Sequence, residues 1–214
     1  MIHLPGVLTA AESVQGFCQK RGWRFCIIGG VAVQRWGEPR LTQDADVTLL
    51  TGFGNEEGFI GPLLEAYSAR REDAREFALV HRVLLLRTDG GISLDLAFGA
   101  LPFEERTVQR ASSWAWAEGR SLITCSAEDL VVHKVFAGRD LDWGDVERIL
   151  IRQHSKLNLD QIRSELKPLL ELKGAQEAMQ RLEQKVSTVD RRLRAKPGRE
   201  CRRWRSGKES VAAG

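Results

Sequence analysis

The sequence predicts an α+β fold in which helices flank a mixed β-sheet and a helical C-terminal region follows it. Short apolar runs bounded by turn residues, which are typical of buried strands, recur between residues 25 and 124. A helical pattern separates the second run from the third, whereas the turn TDGG joins the third to the fourth. One connection therefore crosses over the sheet and the other forms a hairpin, so we expect both parallel and antiparallel pairs.

The first hundred residues divide into elements by their apolar spacing and their turn residues. Thr9 suits a helix N-cap because its hydroxyl can accept a hydrogen bond from the first turn. The run FCII ends at Gly29-Gly30, which indicates a buried strand, a tight turn and an immediate helix start. In chain order we predict a helix at 9–20, a strand at 25–28, a helix at 31–36, a strand at 45–50, a helix at 57–70, and hairpin strands at 81–87 and 92–98.

The rest of the chain begins with strand patterns and becomes helical after Ser126. The alternation SWAWA predicts a strand at 113–117, and SLIT predicts another at 121–124. The predicted helices are at 127–137, 143–153, 160–171 and 175–193. This pattern suggests a core at 1–125, a helical region at 126–172 that completes the active site, and a C-terminal helix with a basic, partly disordered tail at 173–214.

Composition excludes several classes of protein. With 214 residues, 43% of them hydrophobic and 29% charged, the chain can bury a core of moderate size. No apolar run reaches the roughly 20 residues of a membrane span, and the N-terminus lacks a signal-peptide pattern, so we expect a cytoplasmic protein with no membrane partner. The four cysteines form no CxxC pair and are expected to be buried free thiols. The net charge is only +3, but basic residues are concentrated in the C-terminal segment DRRLRAKPGRECRRWRSGK.

Three carboxylates interrupt otherwise apolar strands. Asp44 and Asp46, in RLTQDADVTLL, project to the same side with their backbones about 6 to 7 Å apart. Two like charges this close raise each other's pKa unless a cation lies between them. Asp95 interrupts ISLDLAF, and alone it would be interpreted as a buried aspartate that caps the backbone or pairs with an arginine. Together the three acids favour an oxygen-rich Mg²⁺ site.

The diglycine supplies a second feature of the same site. Glycines let the backbone come close to a ligand, and the N–H groups at the start of the following helix suit a phosphate. Alone, Gly29 and Gly30 would indicate only a tight strand-to-helix turn. Beside the acids, they predict a phosphate-binding turn.

The segment GGVAVQRWGEPRLTQDADVTLL resembles the signature of the nucleotidyltransferase superfamily with the DNA polymerase beta-like fold. That signature is a strand, Gly-Gly or Gly-Ser, a helix, and Asp-x-Asp on the next strand, and the thirteen residues between Gly30 and Asp44 suit its spacing. Gly30 stands where many members have serine. The features most similar to AbiEii-type nucleotidyltransferase toxins are Ala32, Gly37, Arg40, Thr42 and the segment EDLVVHKVFAGRDLDWGDVERIL. The resemblance covers about residues 25–150, and aminoglycoside and lincosamide nucleotidyltransferases show a related pattern.

This resemblance implies a Mg²⁺-dependent enzyme that transfers a nucleoside monophosphate from an NTP to an acceptor hydroxyl. Asp44 and Asp46 would hold two Mg²⁺ ions, and Asp95 would bind the second ion and could accept the hydroxyl proton. The toxin resemblance implies an RNA acceptor such as tRNA and an antitoxin partner, whereas the second group implies an antibiotic or metabolite acceptor. A catalytically silent nucleotide-binding module is the third alternative. The intact acids count against it, because carboxylates without a partner are costly in a folded protein.

Lys134 is a candidate for phosphate contact. It shares the apolar face of its helix with Leu130 and Val131, so its side chain should point inward. The resemblance implies that it meets the nucleotide phosphates. The alternative is a snorkelling lysine whose head group returns to water.

Four further residues of the resembling segments are harder to assign. Asp145 is the closest match to a toxin acid that closes the active site and could act as a base, whereas Asp142 suits a helix N-cap. Arg40 and Thr42 flank the acids and are predicted to take part in nucleotide binding. Arg40 could contact phosphate or pair with Asp46, and the sequence does not decide between these.

Overall fold

Residues 4–195 are described by the computed structural model, which contains a seven-stranded sheet with helices on both faces. The strands are β1 (Phe25–Ile27), β2 (Asp44–Leu50), β3 (Ser68–Ala69), β4 (Val83–Arg87), β5 (Ser93–Gly99), β6 (Ser112–Ala117) and β7 (Arg120–Thr124). The α-helices are α1 (Leu4–Lys20), α2 (Gly29–Trp36), α3 (Glu57–Ala66), α4 (Ala74–His81), α5 (Pro102–Arg110), α6 (Ala127–Ala137), α7 (Asp140–Gln153), α8 (Leu159–Lys173) and α9 (Glu177–Ala195). None of the helices in this range has the length and hydrophobicity that a membrane span requires.

The sheet is mixed, as predicted. Its strand order is β3-β4-β5-β2-β1-β7-β6. The pairs β2–β5 and β1–β7 are parallel, and the other neighbouring pairs are antiparallel, including the predicted hairpin of β4 and β5. The two strands that carry the predicted acids, β2 and β5, are therefore adjacent near the middle of the sheet.

The sheet separates two hydrophobic cores, and β1 contributes to both. Phe25 and Ile27 pack in a cluster with α1, α3 and α4, whereas Cys26 belongs to a cluster with α2 and α5 to α9. This division follows from the alternation of side chains along a strand. Leu182 and Val189 of α9 are buried in the second cluster, so the C-terminal helices pack against the same face of the sheet as α2.

Two early helices differ from their predicted bounds by more than two residues. The first helix begins at Leu4, because Pro5 is tolerated in a first helical turn where its missing N–H has no partner to lose. Thr9 is consequently inside α1, and its hydroxyl accepts a hydrogen bond from Arg120 rather than capping the helix. The helix predicted at 57–70 ends at Ala66, since residues 68–69 pair with β4.

Two helices were not predicted. The first, α4, ends at His81, the first residue of the expected strand, and is followed by Arg82, whose φ of 55° places it in the left-handed region. The second, α5, begins where the Glu104 carboxylate accepts hydrogen bonds of 2.8 Å from the N–H groups of Ala100 and Leu101. A proline at the start of a helix followed by a glutamate is a recognisable start signal, so α5 could have been found from LPFEE.

The later helices agree well with the prediction. The bounds of α6 are those predicted, and α8 and α9 differ by two residues or fewer at each end. The exception is α7, which begins three residues early with Arg139 at its N-cap, so the prediction of Asp142 as N-cap is wrong. Cys18, Cys26 and Cys125 are buried free thiols, as expected. Cys201 and the predicted basic tail beyond residue 195 lie outside the described residues.

Candidate functional site

The three predicted metal ligands lie together on neighbouring strands. Asp44 and Asp46 belong to β2, and Asp95 lies opposite Asp46 in the parallel register of β2 and β5. One carboxylate oxygen from each residue lies within 4.8 Å of the other two, and all three side chains are partly buried. The fold thus brings together acids that are about fifty residues apart in the sequence.

Burial and mutual repulsion perturb this cluster. The pKa of Asp46 is raised to about 6, first by burial and then by the negative charges of Asp44 and Asp95. The positive charge of Lys134 reduces this shift without cancelling it. Burial also raises the pKa of Asp95, although the charge of Arg70 opposes the effect. The carboxylate cluster is therefore short of positive charge at neutral pH.

The diglycine turn brings the start of α2 against the acids. Gly29 has a φ of +60°, and a Cβ atom there would lie 1.8 Å from Oδ2 of Asp46. A Cβ atom on Gly30 would lie 2.2 Å from the hydroxyl oxygen of Thr42, so a serine at residue 30 would overlap Thr42. The Gly30 N–H donates to Oδ2 of Asp46 at 3.4 Å, and the Thr42 hydroxyl donates to Oδ1 of Asp44 at 3.1 Å. Glycine at residue 30 therefore makes room for the threonine that contacts Asp44.

Lys134 points inward from α6, as predicted, and only 5% of it is exposed. Its Nζ atom is 2.8 Å from Oδ1 of Asp142 and 3.0 Å from Oδ2 of Asp145, both on α7. These two carboxylates are themselves buried. The ammonium group does not return to water, so the snorkelling alternative is wrong, and the contact with phosphate stays a prediction.

Two arginines extend this ion-pair network. Arg40 forms a two-point pair with Asp145, in which Nε–Oδ1 is 2.8 Å and Nη2–Oδ2 is 2.7 Å, so the alternative pair with Asp46 is wrong. Arg139, whose side chain is 76% exposed, donates from Nε to Oδ2 of Asp142 at 2.6 Å. The negative charges of Asp46 and Asp44 on β2 also help to raise the pKa of Arg139. The closest contacts thus run in the order Arg40, Asp145, Lys134, Asp142, Arg139, and Arg148 lies further from Asp145, at 3.7 Å.

The two carboxylates of this network are stabilised in their ionised form. Burial raises the pKa of Asp145, but hydrogen bonds and charge from Arg40 and Lys134 outweigh burial, and the pKa lies below its ordinary value. The balance is the same for Asp142, with Arg139 and Lys134 as its partners. A carboxylate with a lowered pKa is a weaker proton acceptor. This geometry favours a positioning role for Asp145 over the predicted role as base.

Two residues of the site were not singled out from the sequence. Arg70, directly after β3, donates from Nη2 to Oδ1 of Asp95 at 2.5 Å. The pair with an arginine that the sequence left open for Asp95 is therefore present beside the carboxylate cluster. Gln34 on α2 donates from Nε2 to the carbonyl oxygens of Gly30, at 3.3 Å, and Arg40, at 2.7 Å. The Arg70 contact has no local sequence signal, because it joins elements that only the fold brings together. The Gln34 contacts are local, with residues four and six positions away, and were missed although they lie within one short segment.

The donor set of the cluster fits a magnesium ion. Three carboxylates offer hard oxygen ligands from two rigid, adjacent strands, which is the chemistry that Mg²⁺ prefers. The raised pKa of Asp46 shows that the ionised cluster is disfavoured without a cation, and a divalent ion would relieve this repulsion. Asp44, Asp46 and Asp95 are the residues that would hold it.

No protein-family model matches the sequence, and no curated protein matches it. Among solved structures, the chain is similar to the antibiotic-resistance factor ANT(2'')-Ia, with a TM-score of 0.50 at 16% identity over 81% of this chain and 96% of that one. An antigenic nucleotidyltransferase-like protein from Paracoccidioides brasiliensis gives 0.49 at 14% identity, over 84% and 94% of the two chains. The lincosamide antibiotic adenylyltransferase LnuA, bound to lincomycin, gives 0.44 at 14% identity, over 64% and 92%. The likeness to ANT(2'')-Ia confirms the predicted fold, a nucleotidyltransferase-type α+β core with C-terminal helices.

Proposed function

We propose that this protein is a Mg²⁺-dependent nucleotidyltransferase that transfers a nucleoside monophosphate from an NTP to an acceptor hydroxyl. The observation that carries the proposal is the cluster of Asp44, Asp46 and Asp95 beside the diglycine turn. Backbone N–H groups at the start of a helix suit phosphate, and adjacent carboxylates suit a metal ion, so the two together suit a metal-bound triphosphate. The shared fold with ANT(2'')-Ia supports the same class of chemistry.

The reaction requires little covalent chemistry from the protein. The acceptor oxygen forms a bond to the α-phosphorus. The bond between that phosphorus and the oxygen that bridges it to the β-phosphate breaks, and pyrophosphate leaves. Bound magnesium would neutralise the triphosphate and lower the pKa of the acceptor hydroxyl. The resemblance makes Asp95 our candidate for the proton acceptor.

The cations at the site would bind the phosphates. Arg139 is exposed next to the acids and can reach a ligand without breaking the buried pairs. Lys134 and Arg40 are held by Asp145 in fixed positions, so their positive charge is oriented before a nucleotide binds. Oriented charge of this kind lowers the cost of reorganisation when the pentacovalent transition state forms.

The acceptor is either RNA or a small hydroxylated molecule. The resemblance to AbiEii-type toxins favours RNA such as tRNA, and with it a neutralising antitoxin protein. The fold shared with the antibiotic-resistance factor ANT(2'')-Ia keeps the small-molecule acceptor as the second candidate. We favour RNA because the basic C-terminal sequence, RRLRAKPGRECRRWR, suits a polyanion.

Labelled nucleotides test the function and its acceptor together. The protein is incubated with Mg²⁺, cellular RNA or a mixture of aminoglycosides and lincosamides, and an NTP labelled on either the α- or the γ-phosphate. The proposal expects the α-label on an acceptor and the γ-label in pyrophosphate. Label on the antibiotic alone would replace RNA with the second candidate. If no fraction is labelled although the protein binds an NTP, the proposed enzyme activity is wrong and a catalytically silent nucleotide-binding module is favoured.

A further inference from the structure

We infer that Arg70 is a built-in counter-ion of the third carboxylate, which weakens metal binding until a nucleotide is present. The inference rests on the proposed metal site and concerns its regulation. Arg70 Nη2 lies 2.5 Å from Oδ1 of Asp95, whose carboxylate belongs to the cluster that would hold the metal. The guanidinium therefore supplies a positive charge at the place where a divalent cation is needed.

The backbone fixes Arg70 in this position. Its N–H donates to the carbonyl oxygen of Leu85 at 3.0 Å, and Leu85 pairs with Asp95 in the antiparallel register of β4 and β5. Arg70 thus approaches Asp95 across one intervening strand, from the edge of the sheet. Its side chain is 21% exposed, so the contact is not that of a freely moving surface arginine.

The contact with Asp95 differs from the other arginine pair of the site. Arg40 engages both oxygens of Asp145 through two parallel hydrogen bonds. The hydrogen bond from Arg70 goes to Oδ1 of Asp95, and the buried Nε atom of Arg70 has no hydrogen-bond partner among the described residues. A guanidinium held at one end only is easier to displace than a two-point pair. This geometry suits a guanidinium that a divalent metal ion can displace from the carboxylate.

A positive charge at a ligand changes the affinity of the site for a metal. The charge of Arg70 stabilises the metal-free cluster and repels a divalent ion, and a unit charge at this range changes affinity on the order of tenfold even in a water-like dielectric. The negative charges of a triphosphate would offset that repulsion. Metal binding should therefore be weak alone and strong with the nucleotide.

The test is a Mn²⁺ titration followed by electron paramagnetic resonance of the free ion, without nucleotide and without turnover. Arg70→Gln keeps a hydrogen-bond donor but loses the charge, and should bind Mn²⁺ roughly tenfold more tightly than the wild type. Arg70→Lys keeps the charge and should bind like the wild type. The control is Arg71→Gln, because Arg71 pairs with Asp73 on the surface at 2.8 Å and should leave the affinity unchanged.

Other outcomes overturn the inference in distinguishable ways. Mn²⁺ binding to the wild type that disappears in Asp46→Asn would support the metal site. If Arg70→Gln then binds Mn²⁺ with the same affinity as the wild type or more weakly, Arg70 is not a counter-ion, although the metal site stands. An equal gain in Arg71→Gln would assign the effect to net charge and also overturn it. If folded wild type and Arg70→Gln both fail to bind Mn²⁺ at millimolar concentration, the proposed metal site and the inference fall together.

Discussion

Asp46 and Asp95 lie directly opposite each other on the parallel strands β2 and β5, with their carboxylates facing the same site. A pair of like charges at such positions is normally avoided, because facing like charges destabilise a sheet. Each is partly buried, and each has a raised pKa. The chain retains an arrangement that costs stability without a cation, which is the signature expected of a functional site rather than of a structural one.

Asp46→Asn should make the metal-free protein more stable and abolish nucleotide transfer. The amide keeps the size of the side chain and removes the repulsion from Asp44 and Asp95, so we expect a gain of roughly 1 to 3 kcal/mol in the free energy of unfolding at pH 7. Urea denaturation in EDTA measures it. The control is Asp160→Asn, because the Asp160 side chain is 94% exposed in a surface pair with Arg163; this variant should transfer nucleotide normally and change stability by less than about 1 kcal/mol. A sharp loss of stability with transfer intact would identify Asp46 as structural.

Stability without metal should fall as the pH rises from about 4 to about 6. The folded protein still holds the Asp46 proton in this range, whereas the unfolded chain, with an ordinary pKa of 3.8, has released it. Since the folded state binds more protons, the free energy of unfolding decreases with pH, by about 2 to 3 kcal/mol in total. Asp142 and Asp145, with lowered pKa values, have the opposite effect below about pH 4. The lowered pKa values of Glu147, Glu165 and Glu183 oppose the fall at the acid end of the range, so the Asp46 contribution is the difference between the wild type and Asp46→Asn.

Denaturation curves across this pH range, in EDTA and in Mg²⁺, measure the effect. Mg²⁺ should flatten the slope, because the ion binds the ionised cluster of the folded state and adds stability by mass action. Asp46→Asn should flatten it in EDTA as well. An unchanged slope in Asp46→Asn would show that another group titrates.

Lys134→Met should destabilise the protein strongly. The substitution removes the shared cation of the buried carboxylates of Asp142 and Asp145, which keep only arginine partners, and losing hydrogen bonds to charged groups in this way costs about 1.5 to 3 kcal/mol. Lys185→Met is the matched control, since Lys185 contacts Glu147 at 2.9 Å on a more exposed surface and should cost less than about 1 kcal/mol. If urea denaturation shows the same loss in the free energy of unfolding for both variants, burial of the ion pair does not determine the cost.

Gly30→Ala should destabilise the site through Thr42. The added Cβ atom would lie 2.2 Å from the Thr42 hydroxyl oxygen and 2.8 Å from its Cβ atom, so one of the two segments must move. Thr42→Gly in the same chain should recover part of the loss by removing both atoms. Gly16→Ala, in open space on α1, is the control and should stabilise by roughly 0.5 to 1 kcal/mol. Thermal melting compares all variants, and a neutral Gly30→Ala would refute the overlap.

Much of the fold and part of the site could be predicted from the sequence, because their signals are local. The spacing of Asp44 and Asp46 on one strand, and the strand, diglycine and helix before them, are short-range patterns. The inward direction of Lys134 followed from helical periodicity alone. Its partners did not, since Asp142 and Asp145 lie on another helix and the interhelical geometry decides which carboxylate meets the ammonium.

Three misassignments depended on contacts between elements, which the sequence does not reveal. Asp142 resembles an N-cap in sequence because it precedes an apolar helix, yet α7 begins earlier and turns its carboxylate inward. A pair with Asp46, which is close in sequence, was one of two alternatives for Arg40, but Arg40 pairs with Asp145, which is 105 residues away. Arg70 was assigned to the end of a helix, and a two-residue edge strand is too short to give a pattern.

A crystal structure with Mn²⁺ and a non-hydrolysable NTP analogue tests the central claim most directly. Anomalous scattering locates the manganese, and the analogue locates the α-phosphate. We expect at least one manganese ion among the carboxylates of Asp44, Asp46 and Asp95, with the triphosphate beside the diglycine turn and Arg70 shifted away from Asp95. Manganese bound elsewhere, or an analogue bound away from these three acids, would contradict the account.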